Sequence, residues 1–559
     1  MFLRTVKVRR KTHTLEYVQL VQNNRDPETK TSKTNILYNF GRIDKIDLAS
    51  IRRLIGSLST LLEPEEISKI RDKINPDNNI KFLGARQLGG SWFMDCLWKQ
   101  LEIDKTLNQL LKQRNYQTPI ERLIFSMVSN RALEPYSKLG IEDWVKDIVW
   151  IRDLPEVEVH QLYRAMDFLL EASDEIQHDI FFKVADLFNL EVDLIFLDTT
   201  TTYFEVETED EYTEAGIALR KRGYSKDNHP ELTQIVIAFA VTRNGLPVRC
   251  WTWPGNTSDQ SIVEQVKNDL CNWSLGRVIM VQDTGFNSDR NKRILQRAGG
   301  HYIIGEKLRS GPKAYPVEAV ARGGKYQTLS NGLKCKEVIV GGDSAVRKRY
   351  VVVQNPDQAK RDRKKRDDIV AEAERRLEDL SQLSGKAHEK GACELRSHGV
   401  YGRYIRQSKT GKLFLNKEKI KQEEEFDGKF LVSTSDDFMK VEDIVMGYKQ
   451  LFEIERVFRD MKHLVDIRPV YHRLADRIKS HVLLCWLAMM LIRLSENETG
   501  ENWHQMKKTF CGLQIGIHEV DQNEVWNTNP VSLNMKKLLD KMKMPMPSRI
   551  LHIKQMKKP

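Results

Sequence analysis

Residues 193–207, DLIFLDTTTTYFEVE, are apolar and β-branched on both sides of one aspartate, Asp198. This composition is typical of a buried strand, and we expect Asp198 to lie near the end of that strand. Two more apolar stretches follow, LTQIVIAFAVT (232–242) and LPVRCWTWPG (246–255), joined by an Arg-Asn-Gly turn at 243–245. The pattern predicts a hairpin in the same sheet.

A helix and a further strand follow this hairpin. SDQSIVEQVKNDLCNW (258–273) has the spacing of an amphipathic helix, and RVIMVQ (277–282) is a short buried strand that leads into Asp283. The order strand, strand, strand, helix, strand predicts an α/β layer with Asp198 and Asp283 at one edge. Each aspartate taken alone is most simply a turn-capping residue. Together, two carboxylates at one edge repel each other unless a divalent cation such as Mg²⁺ bridges them.

The segments on either side of this layer have different patterns, which predict a chain of several domains. The predicted domains are an N-terminal β-element (1–44), a helical region (45–190), the first part of the α/β core (191–300), a β-rich insertion with a charged helix that ends in a returning core strand (301–440), the helices that complete the core (441–500) and a basic C-terminal region (501–559).

Composition and charge narrow the class of protein. Of 559 residues, 40% are hydrophobic and 30% are charged, which excludes a disordered or fibrous chain. The net charge is +11, and basic residues are concentrated at the two ends: residues 1–43 hold nine Lys and Arg against three acids, and residues 534–559 hold eight against one. Basic ends favour a polyanionic partner, most simply nucleic acid, although solvated termini give the same pattern.

Neither a membrane span nor a zinc site is predicted. The longest apolar run, His481–Leu494, is shorter than the ~20 residues that a bilayer-spanning helix needs, and it is more simply a buried core helix. His481 in this run is interpreted as a core histidine. The seven cysteines have no CxxC pair and no histidine at zinc spacing, which is typical of thiols in a reducing compartment.

A third acid, Glu455, belongs to a helical stripe near the end of the core. At 100° per residue, two aromatics, a carboxylate and two cations share one helix face that borders an apolar face. The members of this stripe are Tyr448, Phe452, Glu455, Arg459 and Lys462. Taken alone, such a stripe is as often a solvated face, with Glu455 and Arg459 as an i,i+4 pair.

The combination resembles the DDE transposases of bacterial insertion sequences, in the branch whose third acid lies in a Y-x₂-R-x₃-E-x₆-K helix. Tyr448, Glu455 and Lys462 have this spacing, and Leu451 stands where the signature has arginine. Segments in the rest of the chain also resemble a subgroup of this branch: LDTTTTYFE, GYSKDNHPELTQI, PGNTSD, QDTGFNS and FRDMKHLVDIRPVYHR.

The resemblance implies an α/β fold with a ribonuclease-H-like catalytic core, interrupted by a β-rich insertion domain and preceded by a helical DNA-binding region. It implies that Asp198, Asp283 and Glu455 are the catalytic acids and the ligands of two Mg²⁺ ions, for which Mn²⁺ can substitute. The implied reaction is cleavage of DNA at the ends of the element followed by strand transfer, both by two-metal phosphoryl transfer.

The resemblance also implies the partners. These are double-stranded DNA, as terminal inverted repeats and as target, and a second copy of the chain in a homodimer on paired ends, formed through the C-terminal region; no membrane is involved. Tyr448, Arg459 and Lys462 would contact the DNA backbone, and a tryptophan would stack on a flipped base, unless the tryptophans are core residues. The implied location is the cytoplasm, in association with the nucleoid.

Two other functions remain open from the sequence. One is a catalytically inactive or domesticated relative that binds DNA, which the presence of all three acids disfavours. The other is a ribonuclease-H-like nuclease that only hydrolyses DNA, which would give no strand-transfer product.

Overall fold

The computed structural model describes two compact units. The smaller comprises Met1–Leu83, Ile517–Val525 and His552–Pro559, and the larger comprises Gly84–Gly516 and Trp526–Leu551. The described residues are all those of the chain except 10–13, 26–31, 60–62, 64–65, 67–79, 113, 115–117, 191, 212–217, 309–313, 342–347, 521–522 and 556–559.

The described strands, in chain order, are β1 (Phe2–Arg9), β2 (Thr14–Arg25), β3 (Ser32–Arg42), β4 (Lys81–Gln87), β5 (Leu194–Tyr203), β6 (Gln234–Val241), β7 (Pro247–Pro254), β8 (Ile279–Gln282), β9 (His301–Glu306), β10 (Gln327–Thr328), β11 (Lys334–Val340), β12 (Lys348–Gln354), β13 (Ile405–Gln407), β14 (Leu413–Leu415), β15 (Lys429–Thr434), β16 (Gln514–Val520), β17 (Asn523–Thr528) and β18 (Ile550–Gln555).

The described helices are α1 (Leu48–Ser59), α2 (Gly89–Gln100), α3 (Ile103–Leu111), α4 (Ile120–Leu133), α5 (Lys138–Asp143), α6 (Val159–Glu171), α7 (Ser173–Leu187), α8 (Val263–Asn272), α9 (Asp289–Leu295), α10 (Ala314–Ala321), α11 (Pro356–Ser381), α12 (Gly385–Ser397), α13 (Lys417–Glu424), α14 (Val441–Lys449), α15 (Phe452–His463), α16 (Ala475–Thr499), α17 (Trp503–Cys511) and α18 (Leu533–Lys541).

A mixed sheet organises the larger unit. In the part of the chain that the structure describes it has nine strands, in the order β10-β11-β12-β15-β9-β8-β5-β6-β7. β8 pairs in parallel with both β5 and β9, whereas β6 is antiparallel to β5 and to β7. Every residue of β6 is buried, as is every residue of β5 except Asp198 and Tyr203, because helices cover the centre of the sheet. The α/β class predicted from the sequence is confirmed.

The strands of residues 301–440 extend this sheet. β9 pairs with β8, and β15 pairs with both β9 and β12, so the returning strand lies in the middle of the insertion's own strands. The strands β9–β12 and β15 of the predicted insertion thus continue the core sheet. The charged helix α11, with α12 and the hairpin β13-β14, has a small apolar cluster of its own around Leu380, Leu395, Ile405 and Leu413.

Helices α4, α6 and α16 pack together, and α16 also packs against β7. α16 is long and apolar enough to cross a bilayer, but 94% of its most apolar window is buried inside the protein, as expected for a core helix. The predicted helical region 45–190 also contains a strand, β4, which joins β16–β18 in the order β18-β17-β16-β4. In the smaller unit, β1, β2 and β3 form an antiparallel sheet in chain order.

A buried arginine joins α15 to α16. The guanidinium of Arg493, only 2% exposed, donates to Asp460 on α15 at 2.6 Å and to Glu496 at 2.8 Å. Glu496 also accepts from Arg456 on α15 at 3.3 Å. These contacts set the position of α15 along α16, and α15 carries Glu455.

We expect Arg493→Met to lower the free energy of unfolding by about 3 kcal/mol, because it leaves the poorly solvated Asp460 without its paired cation and Glu496 with Arg456 alone. Urea denaturation of the full chain measures this loss. The control is Lys508→Met on α17, which removes an exposed cation. An equal loss in both variants would contradict the structural role of Arg493.

Candidate active site

Asp198 and Asp283 lie on neighbouring parallel strands. Asp198 is the fifth residue of β5 and Asp283 directly follows β8, and the pairing of Leu197 with Gln282 places the two aspartates one step further along the same register. Neighbouring strands are about 4.8 Å apart, so the two carboxylates are close. The expectation that β5 ends near Asp198 is wrong, because pairing with β6 continues as far as Tyr203.

Burial and neighbouring negative charge perturb Asp198. Burial raises the pKa of Asp198 to about 6, and the charges of Asp283 and Asp259 act in the same direction. The cation of Lys226 and a backbone hydrogen bond from Thr199 to the carboxylate, at 2.7 Å, oppose the rise. A poorly solvated carboxylate with two further carboxylates nearby favours a bound cation.

Lys226 and Asp259 complete the edge of the site, and sequence reasoning missed both as site residues. The Lys226 ammonium lies 3.6 Å from the carboxylates of Asp198 and Asp259 and donates to the Thr199 hydroxyl at 2.6 Å. That hydroxyl donates to Asp259 at 2.5 Å. The local sequence around each residue is that of an ordinary loop. The signal that could have identified them is that they lie in GYSKDNHPELTQI and PGNTSD, two segments that carry the family resemblance.

Glu455 is exposed on α15, one turn before a residue that packs on the sheet. The ring of Phe458 stacks on that of Phe239 in β6, with ring centroids 5.7 Å apart, and Phe239 is the cross-strand partner of Asp198. The structure thus brings α15 to the strands that carry the site. It does not gather the three acids, because no group of three or more His, Cys, Asp or Glu among the described residues is arranged to hold a metal ion.

Tyr448 and Glu455 lie on different helices. α14 ends at Lys449 and α15 begins at Phe452, so the single helix expected over this stretch is wrong. The Tyr448 hydroxyl lies against Gly305, where it leaves no room for a Cβ, and its ring stacks on Phe430 with centroids 5.8 Å apart. Burial, followed by the charges of Asp283, Glu306 and Glu455, raises the pKa of Tyr448 to about 12.

The two predicted phosphate-binding cations differ in their surroundings. The Lys462 ammonium pairs with Asp227 at 2.7 Å, with both side chains largely buried, and Arg468 shares that carboxylate at 3.2 Å. Arg459 is exposed on α15. Because Asp227 directly follows Lys226, one loop links the aspartate pair to the end of α15.

The tryptophans and the predicted core histidine are mostly internal. Trp251 and Trp273 are buried, and Trp251 donates to Asp269 at 2.8 Å. Trp253 is half-buried and stacks on Trp251 with centroids 6.3 Å apart. His481 is buried, as predicted, with its Nε2 3.1 Å from the carbonyl oxygen of Ile467.

Two family comparisons match the chain. Residues 194–491, more than half of it, match the family described as "Transposase DDE domain". The chain belongs to the DDE transposase family. Residues 3–67 match "IS1634 family transposase, N-terminal domain", and the two matches confirm the predicted transposase of an insertion sequence. The protein is therefore a metal-dependent enzyme that cleaves DNA and transfers strands.

A comparison with solved structures finds a piggyBac transposase in a synaptic complex with hairpin DNA, solved by cryo-EM. It is 9% identical, with a TM-score of 0.34 over 75% of this chain and 79% of that one. No curated protein matches the chain.

We expect Asp198→Asn to stabilise the metal-free transposase at pH 8 by about 2 kcal/mol and to have almost no effect at pH 4. The folded-state pKa of Asp198 is raised, so the wild type keeps its full stability below the unfolded pKa and loses it as the pH rises through about 6. Asparagine does not titrate and avoids this loss. Urea denaturation across this pH range measures the difference.

The control is Asp437→Asn, which neutralises an exposed carboxylate. It should give no comparable difference between the two pH values. A constant effect of Asp198→Asn across the pH range would contradict the charge balance described for the site.

Proposed function

We propose that the transposase has a ribonuclease-H-like core in which Asp198, Asp283 and Glu455 hold two Mg²⁺ ions, for which Mn²⁺ can substitute. The strand order β7-β6-β5-β8-β9, with β5, β8 and β9 parallel, supports this core. The observation that carries the proposal is the placement of Asp198 and Asp283 in one register on adjacent parallel strands. Carboxylate oxygens are the ligands that Mg²⁺ prefers.

The aspartate pair fits a divalent cation, and Glu455 is the ligand that has to join it. When bound, the ions lower the pKa of a water or a DNA 3′-hydroxyl and stabilise the leaving 3′-oxygen. Lys226 neutralises part of the charge of Asp198 before the ions bind, and it can turn towards a DNA phosphate afterwards. Phe458 on the same helix packs on Phe239, the cross-strand partner of Asp198, so the helix that carries Glu455 lies against the strands of the pair.

The proposed DNA contacts come from side chains on α14 and α15. Arg459, exposed on α15, binds a backbone phosphate near the scissile bond, and Tyr448 contacts the backbone through its hydroxyl. Lys462 reaches a phosphate once DNA displaces Asp227, the carboxylate that it binds in the free protein. Residues 45–190 and the basic N-terminal segment recognise the terminal inverted repeats, and a homodimer synapses two ends in the cytoplasm, in association with the nucleoid.

The test compares Glu455→Gln with Glu453→Gln, two charge-removing changes on the same helix. The two residues are separated by about 200° around the helix axis, so only Glu455 is on the predicted catalytic stripe. The assay uses the full chain, Mg²⁺ and DNA that carries the sequences flanking the gene. We expect Glu455→Gln to bind these ends normally and to lower cleavage and strand transfer by at least about 10³-fold, because it removes a metal ligand.

We expect Glu453→Gln to keep wild-type activity and Asp283→Asn to behave as Glu455→Gln does. Equal activity of Glu455→Gln and the wild type would refute the proposed triad. Cleavage by the wild type without joined products would indicate a nuclease that only hydrolyses, and binding without cleavage would indicate an inactive DNA-binding relative.

A further inference from the structure

A second polar site lies between the helices of the larger unit, away from the aspartate pair. A cavity of about 380 Å³ is enclosed by α4, the start of α5, α6, α16 and the segment 469–472. The polar side chains that line it are Arg131, Ser137, Lys138, Tyr163, Tyr471, His472 and His481. None of these side chains is acidic.

Its most buried groups lack partners. Lys138 is 4% exposed, and its ammonium has no hydrogen-bond partner among the described residues. The same holds for Nδ1 of His481, which is 3% exposed, and for Nε of Arg131, which is 5% exposed. Burying a charged or polar group without a partner is costly, so three such groups around one cavity call for a ligand.

The positive charges of Arg131 and Lys138 are not neutralised by a neighbouring buried carboxylate among the described residues. The other nitrogens of Arg131 donate to backbone carbonyls, of Asp466 at 3.0 Å and of Tyr136. In the part of the chain that the structure describes, the one carboxylate that acts on the guanidinium is that of the exposed Asp466. Arg477 stacks on Tyr163, with its guanidinium 4.3 Å from the ring centre, and lies 3.6 Å from Asp167. Asp167 is therefore paired with Arg477, which is not among the residues that line the cavity.

Burial and the repulsion between neighbouring cations lower the pKa values of two side chains in this cavity. Burial and the charge of Arg131 lower the pKa of Lys138 to about 7, and burial and the same cations lower the pKa of His472 to about 4. An anion in the cavity would reverse both shifts.

We propose that this cavity binds a phosphate group. The ligand accepts hydrogen bonds from Lys138 and from the Nε of Arg131, and Tyr163 and His472 are further donors on its walls. Phosphate suits the site because it offers several strong acceptor oxygens to donors arriving from different helices. Tyr471, 70% exposed, and Leu139, 65% exposed, lie at the mouth, so the site is reachable from solvent.

Two sources supply this chemistry, the DNA backbone and free phosphate. Segment 469–472 also lines a second cavity, of about 510 Å³, which contains Lys462 and Arg468. DNA that contacts Lys462 therefore passes next to the segment that closes the phosphate site. The site needs no catalytic acid, so it stands or falls independently of the proposed triad.

The first measurement is the melting temperature of the full-length wild type as sodium phosphate replaces sodium chloride at constant ionic strength. At ten times the dissociation constant, we expect a rise of about 1–2 °C. Lys138→Met removes the buried ammonium, so this variant should lose the rise. Lys146→Met, which removes an exposed cation nearby in sequence, should keep it. His472→Gln is a second test variant, in which the rise should shrink.

The second measurement is duplex DNA binding by fluorescence anisotropy across a range of salt concentrations. A DNA phosphate in the site predicts that Lys138→Met weakens binding several-fold and lowers the salt slope by about one. A free phosphate predicts unchanged DNA binding together with the loss of the melting-temperature rise. Equal responses of the wild type, Lys138→Met and His472→Gln to phosphate, with equal DNA binding, would overturn the proposal.

Discussion

The structure depends on one costly placement, that of a carboxylate inside a buried strand beside a second carboxylate. Asp198 interrupts a strand whose other residues, except Tyr203, are fully buried, and its pKa of about 6 reports the cost. Lys226 offsets part of the charge from 3.6 Å away and is itself held by Thr199. Perturbed carboxylates of this kind are concentrated at functional sites, and a divalent cation would bind this pair through its negative charge.

The surrounding elements bring the remaining chemistry to this pair. α15 lies on the sheet through Phe458, and Arg493 fixes it to the core helix α16. The loop that supplies Lys226 continues to Asp227, which holds Lys462. In the function that we propose for this member of the DDE transposase family, DNA and metal ions displace these internal ion pairs when the active site assembles.

Much of the core was predictable because its signals are local. The alternation of β5, β6, β7, α8 and β8 follows from apolar runs separated by turns, and it places Asp198 and Asp283 at one edge. The pairing of β15 with both β9 and β12 was not predictable, since it joins residues more than 70 positions apart that have no pattern in common. Lys226 and Asp259 were missed because their local sequence patterns are those of ordinary loops. The break between α14 and α15 contains neither glycine nor proline, so no local signal marked it.

The most direct test of the account is the position of Mn²⁺ in a crystal of the transposase bound to its cleaved DNA ends, located by anomalous scattering. The account predicts two anomalous peaks about 2.0–2.3 Å from carboxylate oxygens of Asp198 and Asp283, with Glu455 completing the ligand set. A metal held by Asp198 and Asp259 while Glu455 faces solvent would contradict it.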